Sequence, residues 1–158
     1  MPASDADGEE RGATLSSLSR YLFLAGSLPF LVLGLAHVRA TPLVPDRPRG
    51  LSPADPRLAE EMARTALRLT RRTDMWKAWV GFNLSHSLGL LLFGLVVVLV
   101  GRNEALFLQE GRTFVPLALV VATVYLVLGL KYWFRTPIAG CAAGAALFLA
   151  SWLLFLLA

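Results

Sequence analysis

The chain has 158 residues, 56% of them apolar and 16% charged, with a formal net charge of +4. That length allows one domain, and a charged share well under the roughly 25% of soluble domains points to an integral membrane protein. The basic residues stand beside apolar runs, where they set topology, so they do not read as a nucleic-acid surface; the single cysteine, Cys141, excludes an internal disulfide or a CxxC redox pair.

Residues 1–17 mix small residues with Asp5, Asp7, Glu9 and Glu10 and lack apolar periodicity, which predicts a disordered polar tail. A first span follows at about 18–38. Its apolar region exceeds the roughly 7–15 residues of a signal peptide, and the tail before it is acidic, so it reads as an uncleaved span. Pro29 predicts a kink there. Pro42, Pro45, Pro48, Pro53 and Pro56 leave no room for regular structure over 39–56. Residues 56–72 then place Leu58, Met62, Ala66 and Leu69 on one face and Arg57, Arg64, Arg68, Arg71 and Arg72 on the other. That pattern predicts an amphipathic helix in the membrane interface, capped by Asp55-Pro56 or Ser52-Pro53.

The second span covers about 76–100, WKAWVGFNLSHSLGLLLFGLVVVLV, with Trp76 and Trp79 at its interfacial end. A mixed-charge link at 101–113 leads to a third span at about 114–134, with Pro116 in its first turn. Arg135-Thr136-Pro137 makes a tight turn into a fourth span at 138–158, so spans three and four form an antiparallel hairpin. The expected fold is all-α: a four-helix integral membrane bundle over 18–158, with the amphipathic helix on the cytoplasmic side between spans one and two. Gly81, Ser85 and Gly89 make a smooth strip on span two, and Gly140 and Gly144 make one on span four; these small residues are expected to pack together. Cys141, in AGCAAGAA, reads as a small packing residue.

Sidedness follows positive charge. Arg39, Arg47, Arg49, Arg57, Arg64, Arg68, Arg71, Arg72, Lys77, Lys131 and Arg135 fall on one side, and Arg11, Arg20, Arg102 and Arg112 on the other. The first side is expected in the cytoplasm, with both termini outside. Arginine far outnumbers lysine, a compositional hint of a bacterial source and hence of a bacterial inner membrane.

The same topology brings polar residues to one end of the bundle. His37 closes span one, Asn83 and His86 share a face of span two, and Lys131 and Tyr132 close span three. Together they make a candidate polar pocket, since ionisable groups inside a membrane are functional candidates. Each also has a structural reading. His86 and Asn83 can be helix glue, His37 an interface residue, Lys131 a snorkelling side chain, and Tyr132 a belt aromatic. Two histidines on separate spans raise a bis-histidine haem, but the rise per residue puts His37 and His86 about 10 Å apart in depth. No Cys, Asp or Glu joins them as a metal ligand, no catalytic set is recognisable, and the spans as drawn hold no carboxylate for proton-coupled transport.

The pattern GFNLSHSLG at 81–89, a histidine closing span one, and the hairpin YWFRTP at 132–137 resemble small bacterial four-helix membrane proteins of the DoxX-like kind. The resemblance covers about 34–137 and implies a four-helix bundle. It brings no activity that maps onto individual residues. Sterol-isomerase-like four-helix proteins are a more distant likeness, and they use acidic cavity groups that this chain lacks. The function expected is a non-enzymatic membrane component that binds a lipid, a small apolar ligand, a partner membrane subunit or a second copy of itself. The alternatives are a small enzyme or a haem or quinone redox subunit using His86 and His37, and a minimal transporter.

Overall fold

A computed structural model describes residues 3–158, with side chains from residue 7 onward. Helix α1 is Ala3–Ala40, α2 is Pro56–Arg64, α3 is Met75–Arg102, α4 is Glu104–Tyr132 and α5 is Arg135–Leu157. No strand is present among the described residues; the β-type pairing recorded is one antiparallel bridge, Ala66 with Asp74. Four helices are long and apolar enough to cross a bilayer: Asp7–Ala40, Met75–Arg102, Glu104–Tyr132 and Arg135–Leu157. Their apolar windows are only 22–33% buried within the protein, so most of that surface faces outward. In water such a surface would aggregate; a lipid solvent suits it.

Four boundaries differ from those read in the sequence. Residues 3–17, expected as an unordered tail, are the first turns of α1. Acidic residues there suit the positive end of a helix dipole. The 101–113 link is mostly helix, because Asn103 caps α4 by accepting from the Leu106 amide at 3.1 Å. Glu104 and Glu110 therefore belong to α4, and Pro116 stands in its interior, not in its first turn. The amphipathic helix stops at Arg64. Thr65 is extended there, its hydroxyl donates to the Glu61 carbonyl, and the Ala66–Asp74 bridge takes over. Ala66 and Leu69 consequently lie off α2, and Leu69 is 94% exposed. The α4–α5 turn is Trp133–Phe134, so Pro137 lies in the first turn of α5, where amides need no intrahelical partner.

The chain divides into two units. The first holds the residues up to Leu31 together with Leu92–Ala158. Phe23 and Phe30 from α1, Phe107 from α4 and Phe148 from α5 are 0–1% exposed. Phe93 from α3 meets Phe30 edge-on at 4.8 Å, and Phe148 lies 5.7 Å from Phe23. All four spans therefore contribute to one aromatic core, in the offset and edge-to-face geometries that ring quadrupoles favour. Gly144 matters to that core. A Cβ there would fall 2.5 Å from the Phe30 ring and 3.3 Å from the Gly26 carbonyl. The neighbour of Gly144 is thus α1, where the sequence suggested span two. Ser19 and Ser151 lock α1 to α5: each hydroxyl donates to the other's backbone carbonyl, at 2.8 and 2.9 Å, and both residues are fully buried. Inside lipid such reciprocal bonds leave neither hydroxyl unsatisfied.

The second unit, Val32–Leu91, combines the last turns of α1, the 41–55 loop, α2, the 65–74 segment and the first half of α3. Its loop is stitched by the backbone. Leu51 donates to the Ala40 carbonyl, and Met75 to that of Thr65. Thr41 is fully buried, its hydroxyl on the His37 carbonyl at 2.8 Å, while Arg49 donates to the Thr41 carbonyl at 3.2 Å. Asp74 caps α3 by accepting the Lys77 amide and pairs with the Lys77 ammonium, each at 2.8 Å. That partnership holds the Asp74 carboxyl below its ordinary value.

Candidate functional site

Asn83 organises the polar cluster of the second unit. It is 4% exposed, one turn beyond Trp79 on α3. Its amide nitrogen donates to the Trp79 carbonyl at 2.8 Å. A carbonyl only accepts, so the amide oxygen is the atom turned to His37. That oxygen lies 2.8 Å from His37 Nε2. An amide oxygen also only accepts, so the proton of this bond sits on Nε2. In the uncharged His37 ring, Nδ1 is then the acceptor nitrogen. Ser87 extends the chain of bonds, its hydroxyl donating to the Asn83 carbonyl at 2.9 Å.

The His86 ring centroid lies 5.0 Å from that of His37, at 62°. The expected depth difference of about 10 Å is not present, because it assumed a register of α1 against α3 that the structure does not keep. α1 runs on to Ala40 and α3 begins at Met75, with the Trp76 indole donating to the Leu43 carbonyl at 3.4 Å. The opening turns of α3 therefore run beside the 38–43 segment, and this brings His86 level with His37. Phe82 lies nearly parallel to His86, with centroids 6.3 Å apart. Both histidines are half-buried.

The remaining sequence candidates have other settings. Lys131 and Tyr132 belong to the first unit, where the Lys131 ammonium stands 5.1 Å over the Tyr132 ring; both are exposed. Gly81 is exposed, and a Cβ there would meet nothing within 4 Å. Ser85 is also exposed, with its hydroxyl on the Phe82 carbonyl, and Gly89 and Gly140 are half-buried. Sequence reasoning missed Thr41, the Trp79 carbonyl and the Ser19–Ser151 pair. Only the Trp79–Asn83 bond had a sequence signal, the i,i+4 spacing on one helix.

A bis-histidine haem needs imidazoles on opposite faces of a porphyrin. Rings in edge contact at 5.0 Å, one of them bonded to Asn83, do not fit that group. No set of three or more His, Cys, Asp or Glu that could hold a metal occurs among the described residues. The cluster is a His37 imidazole whose proton is directed at Asn83, with the His86 imidazole in ring contact beside it.

Fold and site together define a multi-pass helical membrane protein with a histidine–asparagine cluster on two of its spans. No family model, curated protein or solved structure matches the chain.

Proposed function

We propose that this protein is a non-enzymatic component of a bacterial inner membrane, and that it holds a small amphiphilic ligand at His37, Asn83 and His86. One observation carries the reading. The chain has two histidines, 49 positions apart in sequence, and their rings lie 5.0 Å from one another. Polar groups are expensive inside lipid, and helix association alone needs only one bond between α1 and α3. A second imidazole stands in ring contact with a pair already joined through Asn83. The ligand class is an apolar body with a hydroxyl or carbonyl at one end, which includes a quinone head group. The DoxX-like resemblance of GFNLSHSLG and YWFRTP belongs to the same proposal, since it covers the segment that carries Asn83 and His86.

Native mass spectrometry of the detergent-extracted protein tests this. Wild type should retain a small apolar-bodied molecule, and both His86→Gln and His86→Leu should lose it. His86→Gln should keep its melting temperature, because an amide can both donate and accept. Identical cargo in all three proteins would defeat the proposal.

The proposed orientation places 39–75 in the cytoplasm and both termini outside. The eight arginines from Arg39 to Arg72 are all exposed, as an anionic leaflet would require. In a Cys141→Ala background, a thiol label applied to intact cells should react with Glu9→Cys and spare Pro48→Cys. The reverse pattern would invert the topology.

A further inference from the structure

Where α3 turns into α4, a cavity of about 160 Å³ is lined by Ala13, Ser16, Ser17, Arg20, Glu104 and Leu108. At roughly 30 Å³ per water it has room for about five. Its chemistry is two-signed. Arg20 presents a guanidinium whose side chain is 15% exposed, and Glu104 a carboxylate that is 62% exposed. They stand 3.4 Å apart, longer than the 2.7–2.9 Å of a close charge-assisted bond. Arg20 Nη1 donates to the Gly101 carbonyl at 3.3 Å, and its guanidinium lies 5.1 Å from the Tyr21 ring centre. Its Nε is buried and has no hydrogen-bond partner. A buried charged donor left unmade is costly, and native structures rarely keep one without a reason. The two serines add hydroxyls that can donate or accept, and Ala13 and Leu108 supply apolar wall.

We propose that this cavity takes a zwitterionic aminoalkyl phosphate head group. The phosphate oxygens accept from the part of the Arg20 guanidinium that lines the cavity and from the serine hydroxyls, and the ammonium pairs with the more exposed Glu104 carboxylate. Two facts set this chemistry. The guanidinium calls for an acceptor, and the adjacent carboxylate repels a purely anionic one. A head group with both charges satisfies each side. The site lies in the first unit and stands independently of the histidine cluster.

The test is lipid binding to the full chain in detergent, read by native mass spectrometry. The probes are phosphatidylethanolamine and phosphatidylglycerol with identical acyl chains. Wild type should retain phosphatidylethanolamine about tenfold more, a ratio worth about 1.4 kcal/mol. Arg20→Gln should lower phosphatidylethanolamine retention about tenfold. Glu104→Gln, at an exposed side chain, should abolish the preference by admitting phosphatidylglycerol. Free phosphoethanolamine in excess separates the two sources. Displacement of the lipid means the head group alone is read, and no displacement means the acyl chains are needed as well. Equal retention of the two lipids by wild type, or an unchanged preference in Glu104→Gln, would overturn the proposal. If Arg20→Gln does not fold, the Glu104→Gln arm decides.

Discussion

The two units of this chain solve the same problem, stability in an apolar solvent, by different chemistry. The first is held by rings: Phe23, Phe30, Phe93, Phe107 and Phe148 come from all four spans, with one reciprocal serine pair on their flank. The second is held by directed polar bonds through Trp79, Asn83, His37 and Thr41, and its stretch from Arg39 to Arg72 carries eight exposed arginines. Ring packing tolerates no added volume but makes no use of hydrogen-bond direction. A polar chain specifies where each proton sits and so can present a defined face to a ligand. The contrast is one of packing by volume in the first unit and by hydrogen-bond direction in the second.

The largest expected effect comes from adding volume to the aromatic core. Gly144→Leu drives a side chain into the Phe30 ring and should cost about 1–3 kcal/mol or more, as overpacking does. Gly81→Leu, where a Cβ meets open space, should fall within about 0.5 kcal/mol of wild type. Melting temperatures in detergent compare the two. Equal values would erase the distinction between a packed and an open small-residue position.

Next comes the polar chain. Asn83→Leu removes the acceptor of His37 Nε2 and should destabilise by about 1–3 kcal/mol, the range for an orphaned buried polar group. Asn83→Gln, longer by one methylene, should recover only part of this. Denaturation in detergent reads both, and an unaffected Asn83→Leu would show that the bond carries no weight.

Much of this layout was legible in the sequence, and the losses have physical causes. The four spans follow from hydropathy alone, because lipid imposes length and composition on any helix that crosses it. The start of α4 was hidden because Arg102, Glu104, Glu110 and Arg112 look like a loop, whereas Asn103 was a legible cap. The glycines of span four announced a close approach but not its partner. Small residues say that something comes near, and only the register of Phe30 and Gly26 says what. The meeting of His37 and His86 was masked for a related reason. Relative depth depends on the register of α1 against α3; both helix ends were read within two residues, but the sequence carries no signal for that register.

Smaller effects sharpen the comparison. Ser151→Ala removes one of two reciprocal bonds in the first unit and should cost about 0.6 kcal/mol, the average found for interhelical hydrogen bonds in membranes. A double-mutant cycle with Ser19→Ala should be close to additive, because each hydroxyl donates to a backbone carbonyl that the other substitution leaves in place; a coupling as large as a single bond would contradict this geometry.

The smallest effect is at the exposed start of α3. The Lys77 ammonium hydrogen-bonded to Asp74 holds that carboxyl below its ordinary 3.8. Because the folded value is the lower one, the capping contribution is fully present above 3.8 and is lost as pH falls through the folded value. Hydrogen exchange at the Lys77 amide should accelerate over that acid window relative to amides in mid-helix. Asp74→Asn should remove the pH dependence and keep most of the protection, because asparagine also caps.

The central claim is that Asn83 fixes the proton of His37 and so prepares the cluster for a ligand. Nitrogen-15 NMR of ring-labelled histidine in the detergent-solubilised chain tests it directly, because protonated and bare ring nitrogens resonate far apart. His37 should show a protonated Nε2 and a bare Nδ1 in its uncharged form, and Asn83→Leu should mix the two tautomers. A His37 ring with its proton on Nδ1, or a tautomer that Asn83→Leu leaves unchanged, would contradict the account.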